Sequence, residues 1–177
     1  MSFPDGFNLE ISVDYDQWQE KLPGYEALID KALEQIIKNV KEGKFFSNFS
    51  LLELSIVLCD NQLIHQLNKD FRYQDKPTNV LSFNGLGADE IELYLKSDHK
   101  ATEHPYSLGE IYIAYEIMEQ EAKEAEISFE DHFTHLVIHG ILHLLGYDHI
   151  EDQDAEVMEN LESSLLANLG IDDPYSA

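Results

Sequence analysis

The stretch HFTHLVIHGILHLLGYDH, residues 132–149, combines an apolar helical pattern with histidines spaced one helical turn apart. His139 and His143 are four residues apart, so their rings project from the same face of a helix. Gly146 can adopt a positive φ without steric cost, and the turn that it permits can bring His149 back toward the other two histidines. The sequence therefore predicts a buried helix that carries a three-histidine metal site.

Three neutral imidazole ligands indicate catalytic zinc. They leave the fourth position of a tetrahedral ion open to water, as catalytic rather than structural zinc sites do. The double charge of the ion stays uncompensated, which lowers the pKa of that water toward about 7. We therefore expect one zinc ion on His139, His143 and His149. The alternative is three ordinary histidines on a buried helix, but buried imidazoles without a partner are costly.

The histidine spacing also matches the motif H-E-x-x-H-x-x-G-x-x-H of one class of zinc peptidases. Gly140 stands where those peptidases carry the glutamate that acts as general base. A glycine inside a helix costs about 1 kcal/mol relative to alanine, so we expect Gly140 to have a use, which is to leave space beside the metal. A metallopeptidase lacks its proton carrier here and is the weaker alternative.

Three neighbours of the predicted ligands have more than one interpretation. His135 either supports a ligand or contacts substrate, or it is a core histidine bonded to a backbone carbonyl. His132 is expected at the surface. Asp148 either orients a ligand imidazole or assists proton transfer, or it caps the next turn, and we favour a role in the site.

The chain is strongly acidic. Its 177 residues contain 11 Lys and Arg against 35 Asp and Glu, for a formal net charge of −24. Such a surface repels polyanions and argues against a general nucleic-acid-binding protein, which usually carries a basic patch. The hydrophobic content of 44% is enough for the core of one domain over residues 1–177.

Cysteine usage and hydropathy indicate a cytoplasmic protein. Cys59 is the single cysteine, so no intramolecular disulfide can form, and its apolar neighbours predict a small buried residue. The first residues do not resemble a signal peptide. No apolar run approaches the roughly 20 residues that span a bilayer, and we expect no membrane association.

Periodicity predicts both strands and helices along the chain. The strands are expected at 9–13, 49–58, 79–83 and 108–115, and the helices at 25–40, 61–70, 116–126, 128–145 and 152–169. Asp60 and Ser128 are expected to cap two of the helices. Residues 85–107 lack sustained periodicity and predict a mobile long loop or a ragged hairpin. The acid-rich run 151–162 predicts a solvated helix face.

Three segments of the chain resemble the signatures of a known family. Residues 139–149 resemble the signature H-G-x-L-H-L-x-G-Y-D-H of the YbeY-type rRNA maturation factors, which are zinc-dependent single-strand endoribonucleases. LNKDFR at 67–72 with DKPTNVLSF at 75–83 resembles the second signature of the family, and LGEI at 108–111 resembles the third. The resemblance covers about residues 8–170. It departs from the family pattern at Asn79 and Glu110, where aspartate is usual, and at Asn84, where proline is common.

The resemblance implies an α+β fold, in which helices pack on a four-stranded mixed sheet and the histidine-bearing helix is central. It also implies a metal-dependent hydrolase that cleaves RNA during maturation of the small-subunit rRNA and acts in ribosome quality control. The implied partners are single-stranded RNA, small-subunit rRNA and ribosomal proteins, and no DNA is expected. The alternative from another class is an assembly factor that uses zinc only structurally.

Arg72 is the only arginine of the chain, and the resemblance places a functional arginine there. A guanidinium can hold a phosphate through two parallel hydrogen bonds. The alternative is an ion pair with one of the many acids. We expect Arg72, Asp148 and His143 to be catalytic, with Asp148 or Glu110 assisting proton transfer. Lys69 and Lys76 are expected to add positive charge near the metal.

Overall fold

Four strands form one mixed sheet in the computed structural model, which describes residues 3–96 and 104–176. The strands are β1, Phe7–Val13; β2, Leu52–Cys59; β3, Val80–Asn84; and β4, Tyr106–Ala114. Their order is β1-β2-β4-β3, with β2 parallel to both of its neighbours and β3 antiparallel to β4. The expected α+β fold with a four-stranded mixed sheet is therefore confirmed.

The described ranges contain seven α-helices and a 3-10 helix at Lys41–Ser47. The α-helices are α1, Gln17–Lys21; α2, Tyr25–Asn39; α3, Asn61–Arg72; α4, Ala88–Lys96; α5, Tyr115–Glu124; α6, Phe129–Leu144; and α7, Asp152–Asn168. Both predicted caps form: Asp60 accepts the N–H of Leu63 at 2.9 Å, and the Ser128 hydroxyl accepts the N–H of Asp131 at 3.0 Å.

Helices cover the two faces of the sheet unequally. Ile56 and Ile111 join the main core with α2, α6 and α7, whereas Val57 and Cys59 join a smaller cluster under α3. This division follows from the alternation of side chains along each strand. Burial raises the pKa of the Cys59 thiol to about 12, so the thiol stays protonated and unreactive, as expected for a small core residue.

Helix α6 is the central helix, because it contacts β3, β4, α2, α5 and α7. Its last turn ends as predicted at Gly146, whose φ is +102°. The N–H of Tyr147 returns to the carbonyl of Leu142 at 3.1 Å, which is the bond that closes a Schellman turn. The chain therefore reverses directly after the second predicted ligand.

The segment 85–107 differs from the sequence prediction. Ala88–Lys96 forms α4 and Tyr106 already belongs to β4, so the prediction of an irregular loop or hairpin is wrong for these residues. Helix α4 is short, and its one buried residue is Ile91, which leaves too little periodicity to detect. Residues 97–103 lie outside the described residues, and the mobility of the segment stays a prediction.

Candidate active site

Gly140 allows α6 to lie directly on the sheet. A methyl group at this position would lie 3.0 Å from Ile111 Cγ2 and 3.3 Å from Ser82 Oγ. The Ser82 hydroxyl donates to the Gly140 carbonyl at 3.3 Å. The expectation that Gly140 leaves space beside the metal is therefore wrong, because β3 and β4 fill that space. The glycine is needed for close packing of the helix on the strands.

The three predicted ligands converge at the end of α6. The ring centroids of His139 and His143 are 4.6 Å apart, and those of His143 and His149 are 5.0 Å apart. One ligand nitrogen from each ring lies within 4.8 Å of the other two, and the Nε2 atoms of His139 and His143 are 3.1 Å apart. A tetrahedral zinc ion keeps its nitrogen ligands about 3.3 Å apart. The three side chains could therefore hold one such ion.

A buried carboxylate lies behind this group. Glu162 of α7 is fully buried. Its Oε1 accepts from His139 Nδ1 at 2.6 Å, and its Oε2 accepts from His135 Nε2 at 2.8 Å and from the Tyr175 hydroxyl. Burial tends to raise the pKa of Glu162, but the hydrogen bonds from the two histidines outweigh it and lower the pKa to about 2.

The charge of Glu162 determines which nitrogen of His139 carries the proton. An ionised carboxylate only accepts hydrogen bonds, so Nδ1 of His139 must be protonated. Its Nε2 is then unprotonated, and the lone pair faces Nε2 of His143 at 3.1 Å. A carboxylate that orients a ligand imidazole in this way is usual at metal sites. Glu162 therefore orients the imidazole of His139, one of the three candidate ligands.

The prediction of a solvated face for residues 151–162 is wrong at Glu162. The signal for its burial was present in the sequence, because Met158, Leu165 and Leu166 lie one turn away on the same side of α7. Tyr175 carries no comparable signal, since it follows the last helix. Its role depends on how the chain folds back in three dimensions.

The other histidines near the motif also bind carboxylates. His135 is bonded to Glu162 and not to a backbone carbonyl, which favours the supporting role among its alternatives. The side chain of His132 is only 12% exposed and bonds Glu121 at 2.7 Å, so the surface prediction is wrong. Burial, together with the nearby His139 and His149, disfavours the charged form of His143, and its pKa falls to about 4.

Arg72 faces the histidines across one cleft of about 670 Å³. Its Nη2 donates to the Ser82 carbonyl at 2.8 Å, and its guanidinium carbon lies 5.3 Å from the centre of the Phe83 ring. Within residues 3–96 and 104–176, no carboxylate forms an ion pair with it. The ion-pair alternative therefore lacks a described partner. Lys69 instead pairs with Asp75 at 3.5 Å and does not line the cleft.

The two acids proposed for proton transfer lie in different places. Asp148 lines the cleft, and its Oδ1 accepts the N–H of Ile150 at 3.2 Å, which is the turn-capping arrangement. Glu110 lies with Glu10 and Glu53 on the other face of the sheet. The suggestion that Glu110 assists proton transfer is therefore wrong. Strand alternation accounts for this, because its neighbour Ile111 faces α6.

Comparisons with known proteins agree over nearly the whole chain. The family model described as Endoribonuclease YbeY matches residues 12–170. An Endoribonuclease YbeY of Bradyrhizobium diazoefficiens is 42% identical over 176 residues, which cover 99% of this chain and 89% of the relative. The protein of the same name from Paramagnetospirillum magneticum is 41% identical over 169 residues, covering 94% and 96%.

A solved structure has a similar fold. The solution structure of a protein from Thermotoga maritima superposes with a TM-score of 0.53 at 27% identity, and the match covers 96% of this chain and 100% of that one. The family model and the relatives identify the family. The chain belongs to the endoribonuclease YbeY family.

Proposed function

We propose that this protein is a zinc-dependent single-strand endoribonuclease that acts in maturation of the small-subunit rRNA and in ribosome quality control. The observation that carries the proposal is the position of Arg72 opposite three converging histidines in one cleft. A metal site alone suits many hydrolases. A guanidinium without an acidic partner beside it is suited to a phosphodiester. The relatives are named as endoribonucleases, which supports the same reaction.

The proposed ligands are His139, His143 and His149. Three imidazoles favour zinc over magnesium or calcium, which prefer oxygen ligands. When bound, zinc would supply Lewis-acid stabilisation of phosphate charge and activate water as the nucleophile. Glu162 holds the first of these imidazoles in the tautomer whose Nε2 is unprotonated, which is the form that can bind a metal ion.

Arg72 is proposed to bind the scissile phosphate. Charge builds on the phosphate oxygens in the transition state, and donors aimed at them stabilise it more than they stabilise the ground state. The hydrogen bond to Ser82 uses one Nη2 donor, and a guanidinium has five. The remaining donors are sufficient for a bidentate contact with the phosphate.

Asp148 is proposed to carry a proton to the leaving ribose oxygen. Its Oδ1 is occupied by the Ile150 N–H, whereas its Oδ2 has no hydrogen bond to a described residue. The carboxylate lies in the same cleft as Arg72 and the histidines. A carboxylate so placed can take a proton from water and return it to the departing oxygen.

The net charge of −24 bears on how RNA reaches the cleft. Free RNA would bind weakly at physiological salt, so we propose that ribosomal RNA and ribosomal proteins deliver the substrate strand. In the described ranges no helix combines the length and apolar character needed to cross a bilayer. We propose that the protein acts in the cytoplasm.

The same charge favours the second candidate, a zinc-containing ribosome assembly factor without catalysis. Such a protein would need the metal ion to stabilise its fold. It would not need Arg72 to be free to bind a phosphate. A metallopeptidase is not favoured, because Gly140 supplies no general base and packs against the sheet.

The test is RNA cleavage by the purified protein with zinc, after chelation and after zinc is restored. We expect cleavage of single-stranded RNA to disappear with the metal and to return with it, while circular dichroism stays unchanged. Undiminished cleavage by metal-free protein would refute the zinc mechanism. Binding to ribosomal particles with no cleavage under any metal condition would instead favour the assembly factor.

A further inference from the structure

The segment after α7 folds back onto that helix. Gly170 has a φ of +75° and reverses the chain. Asp173 then holds the segment against α7, because its Oδ1 accepts the Ser163 hydroxyl at 2.7 Å and the backbone N–H of Tyr175 at 2.9 Å. These contacts hold the backbone of Tyr175 beside α7. The side chain of Tyr175, which is 42% exposed, therefore extends from a fixed backbone position.

The Tyr175 side chain reaches the carboxylate behind the metal site. Its hydroxyl donates to Oε2 of Glu162 and lies 3.2 Å from Nε2 of His135. The ring meets that of His135 edge-on, with centroids 5.6 Å apart. Burial and the Glu162 carboxylate both raise the pKa of the tyrosine, so the hydroxyl keeps the proton that it donates.

The two oxygens of Glu162 thus have separate partners. His135 and Tyr175 occupy Oε2, which leaves Oε1 for Nδ1 of His139 at 2.6 Å. A carboxylate held by one hydrogen bond at each oxygen can still swing about those two bonds, whereas a third bond fixes its plane. The direction of the bond to His139 is therefore set in part by a residue that does not line the cleft.

We infer that Tyr175 is a positioning residue of the metal site, which fixes Glu162 so that His139 presents its Nε2 to the ion. The inference rests on the proposed zinc site and deepens it. Tyr175 lies beyond residues 12–170, the part of the chain that the family model matches. Its action is indirect, through Glu162, because among the described residues its side chain bonds Glu162 and His135 and none of the three proposed ligands.

The experiment compares Tyr175→Phe with the wild-type full chain. The variant keeps the ring beside His135 and removes only the hydroxyl. We expect the Kd for zinc, measured by competition with a coloured chelator, to rise about tenfold, the lower end of the loss that follows removal of an outer partner of a ligand. Glu162→Gln is expected to raise it further, up to about a hundredfold.

A second readout needs no metal. The chemical shift of the Nδ1 proton of His139 in the metal-free protein reports the strength of its hydrogen bond to Glu162. We expect this shift to move upfield in Tyr175→Phe, because the carboxylate keeps its charge but is held less firmly. The matched control is Tyr115→Phe, which removes a tyrosine-to-glutamate hydrogen bond, to Glu119 at 3.4 Å, away from the site. We expect this control to leave the zinc Kd and the chemical shift unchanged.

The outcomes separate positioning from simple support of the fold. A Tyr175→Phe protein that melts earlier but keeps the wild-type Kd and the wild-type chemical shift of the His139 Nδ1 proton would overturn the inference. If the wild type itself bound no zinc, the proposed function would fail, and the chemical-shift comparison would still decide the role of Tyr175.

Discussion

The two walls of the cleft are held in different ways. The histidine wall is backed by Glu162, which is fully buried and bonded to His135, His139 and Tyr175. The arginine wall is an exposed side chain at the end of α3, held by one hydrogen bond to the carbonyl of Ser82 on the edge strand β3. Metal ligands need fixed geometry before the ion arrives, whereas a phosphate-binding group can follow its substrate. The firm support of the histidines therefore suits metal binding, and the looser support of Arg72 suits phosphate binding.

The largest effect is expected from the histidine wall. His143→Ala removes a central ligand, and we expect zinc binding to be lost and RNA cleavage to fall by more than about 10³-fold, because a metal supplies several kcal/mol of transition-state stabilisation. Metal analysis and a cleavage assay measure the two losses. His104→Ala, at an exposed histidine outside the cleft, is the control and is expected to retain both. A fully active His143→Ala protein would remove the basis of the comparison.

The arginine wall should respond in cleavage alone. We expect Arg72→Ala to lower cleavage by about 10²–10³-fold, the usual loss for one transition-state donor, while the zinc Kd stays within about twofold since Arg72 is not bonded to the histidines. Arg72→Lys should recover part of the activity, because lysine keeps the charge without the paired donors. Lys69→Ala, on the same helix but paired with Asp75, is the control. A matching loss of zinc affinity would mean that the walls are not independent.

Asp148 directly precedes His149, the third proposed ligand, and lines the cleft together with both walls. If it transfers a proton, Asp148→Asn is expected to lower cleavage by about 10²-fold, with the zinc Kd nearly unchanged. Kinetics at saturating RNA measure the effect on the chemical step. Glu110→Gln, on the other face of the sheet, is the control. Wild-type turnover in Asp148→Asn would leave this residue with only its turn-capping bond to Ile150.

The smallest effect is expected where the two walls are connected, at Ser82 and Gly140. Ser82 accepts Arg72 on its carbonyl and donates its hydroxyl to Gly140 of α6. We expect Gly140→Ala to destabilise the fold by about 1–3 kcal/mol through overpacking against Ile111, in spite of the better helix propensity of alanine. Urea unfolding measures this free energy. Gly24→Ala, where nothing lies within 4 Å, is the control and should change it little. An unchanged or higher stability would show that the helix can move off the sheet freely.

Local features of the site could be predicted from the sequence. The spacing of His139 and His143 and the turn at Gly146 depend only on helix geometry and on one glycine, and the structure forms that turn. The position of Glu110 could also have been predicted, because alternation places it opposite Ile111. Helix α4 could not, since it has a single buried residue.

The hydrogen bonds that support the site could not be predicted from local sequence patterns. Glu162 comes from another helix, and Tyr175 from the segment that follows it, so their contacts with His135 and His139 exist only after α7 packs on α6. The packing role of Gly140 could not be predicted for the same reason, because the sequence does not show which strand lies beside a helix. Tertiary packing decided each of these points.

All three proposed ligands come from residues 139–149, and this closeness affects how metal supply and protein folding are linked. Closing so short a loop costs little entropy, so the unfolded chain also retains affinity for zinc. An ion that binds both states raises the free energy of unfolding by less than its affinity for the native state suggests. We therefore expect that cells deprived of zinc would accumulate folded, inactive protein that regains activity when the metal returns, and would lose little of it to proteolysis.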